Sequence, residues 1–414
     1  MQFFIKQIQV NQILHLNGFT INLGDSPKHL LITGPNGSGK TQLINAIGKH
    51  LLLICNDSVG KRFNYDKNAK QLTNLLEAAT DDHSRIIAKR QLSFFEEQKK
   101  MYFGEVQIDF TDALAMTDAY GKNEFILAFY ETFRNPKFRE VHSIEKPDLS
   151  KPIDFSHNKV DEFLKFLADN KVQAALARNE GNTQDVENIN NWFDSFQDVL
   201  RNLFNDSKLK LNFDYKDYSF YIKSFDKTFK FTQLSAGYAA ALDIVADLIL
   251  RMQLPGSLVR AYDMPGIVLI DEPETHLHLA LQRKIMPILT KLFPNIQFIV
   301  ATHSPFILSS LPNAVAYDLE HREVVDDLTD YSYNALAEGY FGVPTESGVL
   351  KERLDRMESL VLKDSLDSSE RVELEKLFEE FSGLSEAAAP AVKGRFLELK
   401  RLHYQRRNGD DSST

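Results

Sequence analysis

Two stretches of this chain hold residue types at spacings that suit phosphate chemistry. Gly34-Pro35-Asn36-Gly37-Ser38-Gly39-Lys40-Thr41 satisfies G-x-x-x-x-G-K-S/T at every fixed position. Its glycines let the backbone curl so that successive N–H groups, those of Asn36 and Ser38 among them, face phosphate oxygens. A helix starting at Thr41 adds the partial positive charge of its amino end. In such a loop Lys40 reaches the β- and γ-phosphates and the Thr41 hydroxyl meets Mg2+, so ATP with Mg2+ is the expected ligand. Further on, Gly266-Ile267-Val268-Leu269-Ile270 is a near-continuous apolar run. Such a run marks a strand buried on both faces of a parallel sheet. It delivers Asp271 and Glu272 at its carboxyl end, where open α/β sheets place their ligands. Asp271 suits the carboxylate that holds Mg2+ through water, and Glu272 the group that orients or deprotonates an attacking water. The plainer alternative is an acidic turn before a helix, for which Pro273 and Glu274 are suited.

A second apolar strand, 296–301, ends in Thr302-His303-Ser304-Pro305. With a helix over 279–293 between them, the two strands form a β–α–β unit and become parallel neighbours. His303 then stands beside the carboxylates, where it can hydrogen-bond a γ-phosphate or simply cap the next helix. His276 and His278 lie two apart on a loop with no cysteine and no third fixed ligand, which is weak for a metal. A loop crossing a subunit interface fits them better. Residues 233–238, Gln-Leu-Ser-Ala-Gly-Tyr, precede a helix over 239–252. Taken alone, Ser235 reads as an ordinary N-cap.

These groups need a scaffold, and the patterning supplies one. The first thirty residues alternate in short apolar runs broken by Asn17-Gly18 and Gly24-Asp25, which predicts antiparallel strands leading into a third at 29–33. Residues 60–100 are polar and helix-prone. Strands are expected at 101–110 and 124–130. Residues 136–207 change character, with Pro136, Pro147 and Pro152 ahead of helical patterns at 160–176 and 189–204, and read as an inserted helical subdomain. Strands return at 209–213, 219–222 and 228–231. After about Glu320 the chain reads as helical, ending in a disordered polar tail over 409–414. The expected division is therefore a discontinuous head over 1–320 and a helical region over 321–414.

Lys and Arg total 48 against 58 Asp and Glu, a net charge of −10, which disfavours coating nucleic acid by bulk charge. Cys55 is the single cysteine, so no intramolecular disulfide or cysteine-rich zinc site can form. No apolar run approaches the roughly 18 residues of a membrane span, and the start lacks a signal-peptide pattern. A cytoplasmic protein without a membrane partner is expected.

The order of these motifs resembles an ABC-type ATPase head. By that resemblance Gly34–Thr41 is the Walker A loop, residues 234–237 the signature, 267–272 Walker B, 274–278 the D-loop and His303 the switch histidine. The wording of residues 271–282 and 301–308 is similar to the bacterial AAA ATPases of the SMC, RecF and OLD-like branch, several of which are the ATPase half of anti-phage systems such as Septu and PARIS. The resemblance implies an α/β P-loop fold with an antiparallel β subdomain. It also implies two heads meeting head to tail, each ATP held by Walker A of one and by Ser235 and Gly237 of the other. ATP then acts as glue and hydrolysis releases it.

Departures from the family pattern bear on function. The signature reads LSAGY rather than LSGGQ, which suggests slow hydrolysis. The expected Q-loop glutamine is missing from 129–132, and Gln107 is a doubtful substitute. Long heptads are missing, as is a TOPRIM-type acidic pattern, so a separate effector such as a nuclease is expected. The alternative is a repair ATPase gripping DNA between heads, for which Arg395, Lys400, Arg401, Arg406 and Arg407 are the late basic cluster. A transporter subunit is the least favoured class.

Overall fold

The alternating apolar residues at the amino terminus form an antiparallel sheet. In the computed structural model, which describes residues 3–78, 81–134, 136–148, 153–253, 262–342, 348–363, 365–383 and 390–410, strand β1 (Ile5–Ile13) pairs with β2 (Leu16–Asn22). Strand β3 (His29–Thr33) does not continue that sheet. It is buried along its whole length, with an apolar centre, and joins a six-stranded sheet instead. The other edge of the first sheet is β4 (Val106–Phe110), giving the order β2-β1-β4. The expected strand at 101–110 is thus shorter. Its first residues end a helix that Gly104 caps.

Helix α1 (Lys40–Leu53) lies between the two sheets, because Leu43, Ile44, Ile47 and Leu51 recur at helical spacing and are fully buried. Helices α2 (Val59–Ala78) and α3 (Asp82–Phe103) form a hairpin that realises the polar stretch, followed by α4 (Ala113–Gly121). Strand β5 (Ile126–Tyr130) then enters the large sheet. The inserted segment contains α5 (Phe163–Asn179) and α6 (Thr183–Phe204), which pair through Phe163, Phe196 and Trp192. A small antiparallel sheet follows: β6 (Lys210–Asp214), β7 (Ser219–Ser224) and β8 (Lys227–Lys230).

Helix α7 (Ala236–Arg251) starts three residues earlier than its periodicity predicts. Then come β9 (Gly266–Asp271), α8 (Leu279–Leu292), β10 (Ile296–Ala301), the short α9 (Pro305–Leu308), β11 (Ala314–Asp318) and β12 (Glu323–Asp326). The large sheet has the order β12-β11-β3-β10-β9-β5, parallel except for β12. Strands β9 and β10 are parallel neighbours, as the β–α–β reading requires. Strand β12 precedes the helices of the region expected to be largely helical after about Glu320. It is a short exposed edge strand, with little apolar patterning to reveal it. The buried amide of Gln297 ties the sheets together: it accepts from Ile5 N–H at 2.7 Å and donates to the Lys28 carbonyl at 2.7 Å.

The chain divides into two units, Met1–Tyr333 and Asn334–Thr414. Helix α10 (Tyr333–Phe341) begins at the boundary. The second unit has its own core on α11 (Gly348–Leu362), α12 (Ser368–Ser382) and α13 (Pro390–Asp410), built from Leu354, Met357, Leu377, Phe381 and Phe396. Within it Arg395 is not a free basic group: Asp355 and Glu358 both pair with it. The side chains of Arg406 and Arg407 lie outside those described, as does the tail over 411–414; Gly409 and Asp410 are helical. Among the described residues no helix is long and apolar enough to cross a membrane.

Candidate functional site

Parallel strands bring their carboxyl ends to one edge of the sheet. Read across that edge, the order is Asp318 after β11, the glycine-rich loop after β3, Thr302 and His303 after β10, Asp271 and Glu272 at the end of β9, and Thr132 after β5. Strand β10 therefore stands between the loop strand and the carboxylate strand.

The loop has the backbone the motif demands. Gly34, Gly37 and Gly39 all have positive φ, which side chains other than glycine rarely adopt. A Cβ on Gly39 would sit 2.9 Å from Leu16 Cδ1, because the β1–β2 hairpin leans on the loop. From the same hairpin His15 Nε2 contacts the Ser38 carbonyl at 3.1 Å. Lys40 folds back over the loop, donating to the carbonyls of Gly34 at 2.8 Å and Pro35 at 2.9 Å. Burial pulls its pKa down to about 8, opposed by the charges of Glu272, Glu274, Asp271 and Asp318. Asn36, Gly37 and Thr41 are exposed at the mouth.

Asp271 is 2% exposed. Its Oδ2 accepts from Thr132 Oγ1 at 2.8 Å, while its Oδ1 is buried without a partner. The Ser38 hydroxyl is equally unpartnered. Buried polar atoms left open beside a glycine cradle and a cation fit a triphosphate with a divalent ion. Thr41 and Asp271 would hold that ion. Glu272 adopts the left-handed conformation, φ 49°, at the head of the turn. Its Oε1 lies 3.4 Å from His303 Nε2. Burial, with the nearby Lys40 charge, lowers the pKa of His303 to about 4, so the imidazole is neutral near pH 7.

Glu274 was read as part of a helix start or D-loop. It is half-buried, its Oε1 accepting from Thr302 Oγ1 at 2.8 Å and from the His303 N–H at 2.5 Å. Burial raises its pKa. It thereby locks the β9 turn to the end of β10. Strand order brings two further residues in: Asp318 beside Gly34, and Thr132, at the position of the missing Q-loop glutamine, beside Asp271. Gln107 lies on β4 of the three-stranded antiparallel sheet, opposite Gln9, rather than on a strand of the large sheet.

The signature residues are placed differently. Ser235 is the N-cap of α7, exposed, with no cap hydrogen bond from its side chain. Gly237 is buried because a Cβ there would lie 2.8 Å from the His276 carbonyl. His276 itself has positive φ and, with His278, forms no metal cluster among the described residues. The body of α7 is anchored by Asp247, which accepts from Tyr130 OH at 2.7 Å and from Arg251 Nε at 2.7 Å.

A phosphate loop between strand and helix, with acids ending a nearby parallel strand, defines a P-loop ATPase domain of mixed α/β class. Residues 30–309 match the family described as "AAA domain, putative AbiEii toxin, Type IV TA system", and the chain belongs to it. It is 24% identical to the "Septu protein PtuA" of Bacillus mycoides (strain KBAB4) over 97% of this chain and 54% of that protein. It is 48% identical to the "Retron Ec83 probable ATPase" of Escherichia coli over 19% of this chain and 15% of that one. The chain thus spans about half, or less, of the length of these relatives. An SMC head bound to the C-terminal winged-helix domain of ScpA matches with TM-score 0.35 and 12% identity, covering 76% of this chain and 94% of that one.

Proposed function

We propose that this protein binds and hydrolyses Mg–ATP, that ATP joins two copies, and that joining and release gate a separate effector, such as a nuclease, in a cytoplasmic anti-phage system. The observation that carries this reading is an asymmetry: Lys40 and Asp271 are buried and held by hydrogen bonds, while Ser235 stands exposed and uncapped at a helix start. A helix start with open N–H groups favours an anion. Ser235 of one copy, on a helix start that Gly237 lets pack against His276, then completes the site around Gly34, Asn36, Gly37, Ser38, Gly39 and Lys40 of the other. The defence role is supported by the names of the relatives, which are components of Septu and retron systems.

In this reading Lys40 leaves its two carbonyls for the phosphates. Thr41 and Asp271 would hold Mg2+, which would supply positive charge to offset that of the phosphates. Glu272 takes the proton of the attacking water, and the neutral His303 beside it turns its one N–H toward the γ-phosphate. The residues 1–320 act as the head, with 136–207 as a helical insertion and the carboxyl-terminal helices as an appendage. A DNA-gripping ATPase is less favoured, because Arg395 is already neutralised by two acids.

Glu272→Gln tests this. The variant should bind ATP with parent affinity, lose turnover by at least about a hundredfold, and run as an ATP-dependent dimer in light scattering. Normal turnover, or a monomer with ATP bound, overturns the reading.

A further inference from the structure

The residues after β5 reach across the carboxylate turn from the neighbouring strand. They alternate: Glu131 and Phe133 are exposed, Phe133 to 90%, while Thr132 and Arg134 face the acids. Thr132 Oγ1 donates to Asp271 Oδ2 at 2.8 Å, which turns the other oxygen, Oδ1, into the buried space with no partner. Arg134 Nη2 donates to the Glu272 carbonyl at 3.5 Å, a long contact, and Arg134 Nε is buried without a partner. The guanidinium lies in the field of Asp243, Glu274 and Asp271.

Glu272 needs such support. Its positive φ is a conformation that costs a residue with a Cβ energy, and it persists only where neighbours enforce it. Its N–H donates to the Ala301 carbonyl at 2.8 Å, and its carbonyl accepts from Thr275 N–H at 3.1 Å. Arg134 adds a hold from a different strand. A planar fork with spare donors can tighten there when the site fills, which a lysine cannot reproduce.

We propose that Thr132 and Arg134 are positioning residues for the acid pair, Thr132 presenting Asp271 to Mg2+ and Arg134 fixing the backbone that aims Glu272 at the phosphate loop. This rests on the roles given to Asp271 and Glu272 above. Neither residue touches nucleotide in this scheme, so Arg134 governs turnover rather than ATP affinity, and Thr132 governs the Mg2+ requirement. They occupy the place where the sequence offers no Q-loop glutamine.

The test uses the full chain carrying Arg134→Ala, Arg134→Lys, Thr132→Val and Thr132→Ser, with Glu272→Gln as reference. Nucleotide affinity, its Mg2+ dependence and steady-state kcat are measured on each. Arg134→Ala should keep ATP affinity within about threefold and lose kcat about ten- to a hundredfold. Arg134→Lys should recover less than half of that loss. Thr132→Val should raise the Mg2+ concentration needed for nucleotide binding about tenfold, and Thr132→Ser should restore it. A kcat within twofold of the parent for Arg134→Ala, an affinity loss as large as its kcat loss, or a Thr132→Ser as impaired as Thr132→Val overturns the proposal. Should Arg134→Ala fail to fold, the near-isosteric Thr132 pair decides. If Glu272→Gln alone turns over normally, the acid-pair reading fails with it; if Glu272→Gln is dead while the Arg134 and Thr132 variants are normal, only this proposal falls.

Discussion

The carboxylate turn after β9 and the start of α7 are built on opposite principles. The turn is cross-linked: Asp271 to Thr132, Glu274 to Thr302 and His303, Glu272 to Ala301 and Thr275. The helix start is open, with Ser235 exposed and its side chain uncapped, although two turns further in Asp243 and Asp247 are almost fully buried. Groups that must hold a charge pattern before ligand arrives are fixed in advance, since preorganised dipoles need no rearrangement in the reaction. A group that serves another copy has to stay reachable, so its hydrogen-bond potential is left unspent.

The comparison breaks most visibly at Lys40. Lys40→Ala should abolish measurable ATP binding, a loss of at least about a hundredfold, in an equilibrium titration; retained affinity would mean that the fixed edge is not the nucleotide site. A smaller change is expected from Ser235→Arg, which adds bulk and charge only at the open helix start. It should bind ATP within about threefold of the parent yet stay monomeric and lose turnover about tenfold or more, as read by light scattering and phosphate release. A fully active monomer would place Ser235 outside any shared site.

The finest contrast lies within α7 itself. Burial raises Asp243 to about 7, although Asn158 donates to it at 2.7 Å. Its folded pKa exceeds its unfolded one, so its charge destabilises the fold as pH rises through 4 to 7, and fully above that. Asp243→Asn, which can still accept from Asn158, should therefore stabilise more at pH 8 than at pH 5, by about 2 kcal/mol. Equal shifts in melting temperature at the two pH values would show the helix body to be as open as its start.

Much of this was legible beforehand. The glycine-rich loop, the β9 and β10 strands and the inserted helices announce themselves by local pattern: φ-permissive glycines, continuous apolar runs, 3.6-residue spacing. What escaped has no local pattern. Strand β12 is four exposed residues on an edge. Strand β3 follows the antiparallel pair in the chain, and only its partners, β10 and β11, show which sheet it joins. Glu274 has the look of an ordinary first-turn acid until Thr302 and the His303 N–H, twenty-eight and twenty-nine residues away, close on it.

The sequence by itself determined which residues can meet phosphate and metal, because that chemistry depends on residue type and on spacings of a few positions along the chain. It also determined that they would sit at strand ends, since uninterrupted apolar strands have no other place to expose a polar group. The tertiary structure decided the neighbours. Strand order put β10 between the loop and the acids, put Thr132 and Arg134 on the far side of them, and set Asp318 against the glycine loop. Contacts between residues a hundred positions apart depend on how the sheet is threaded, and no local preference records that.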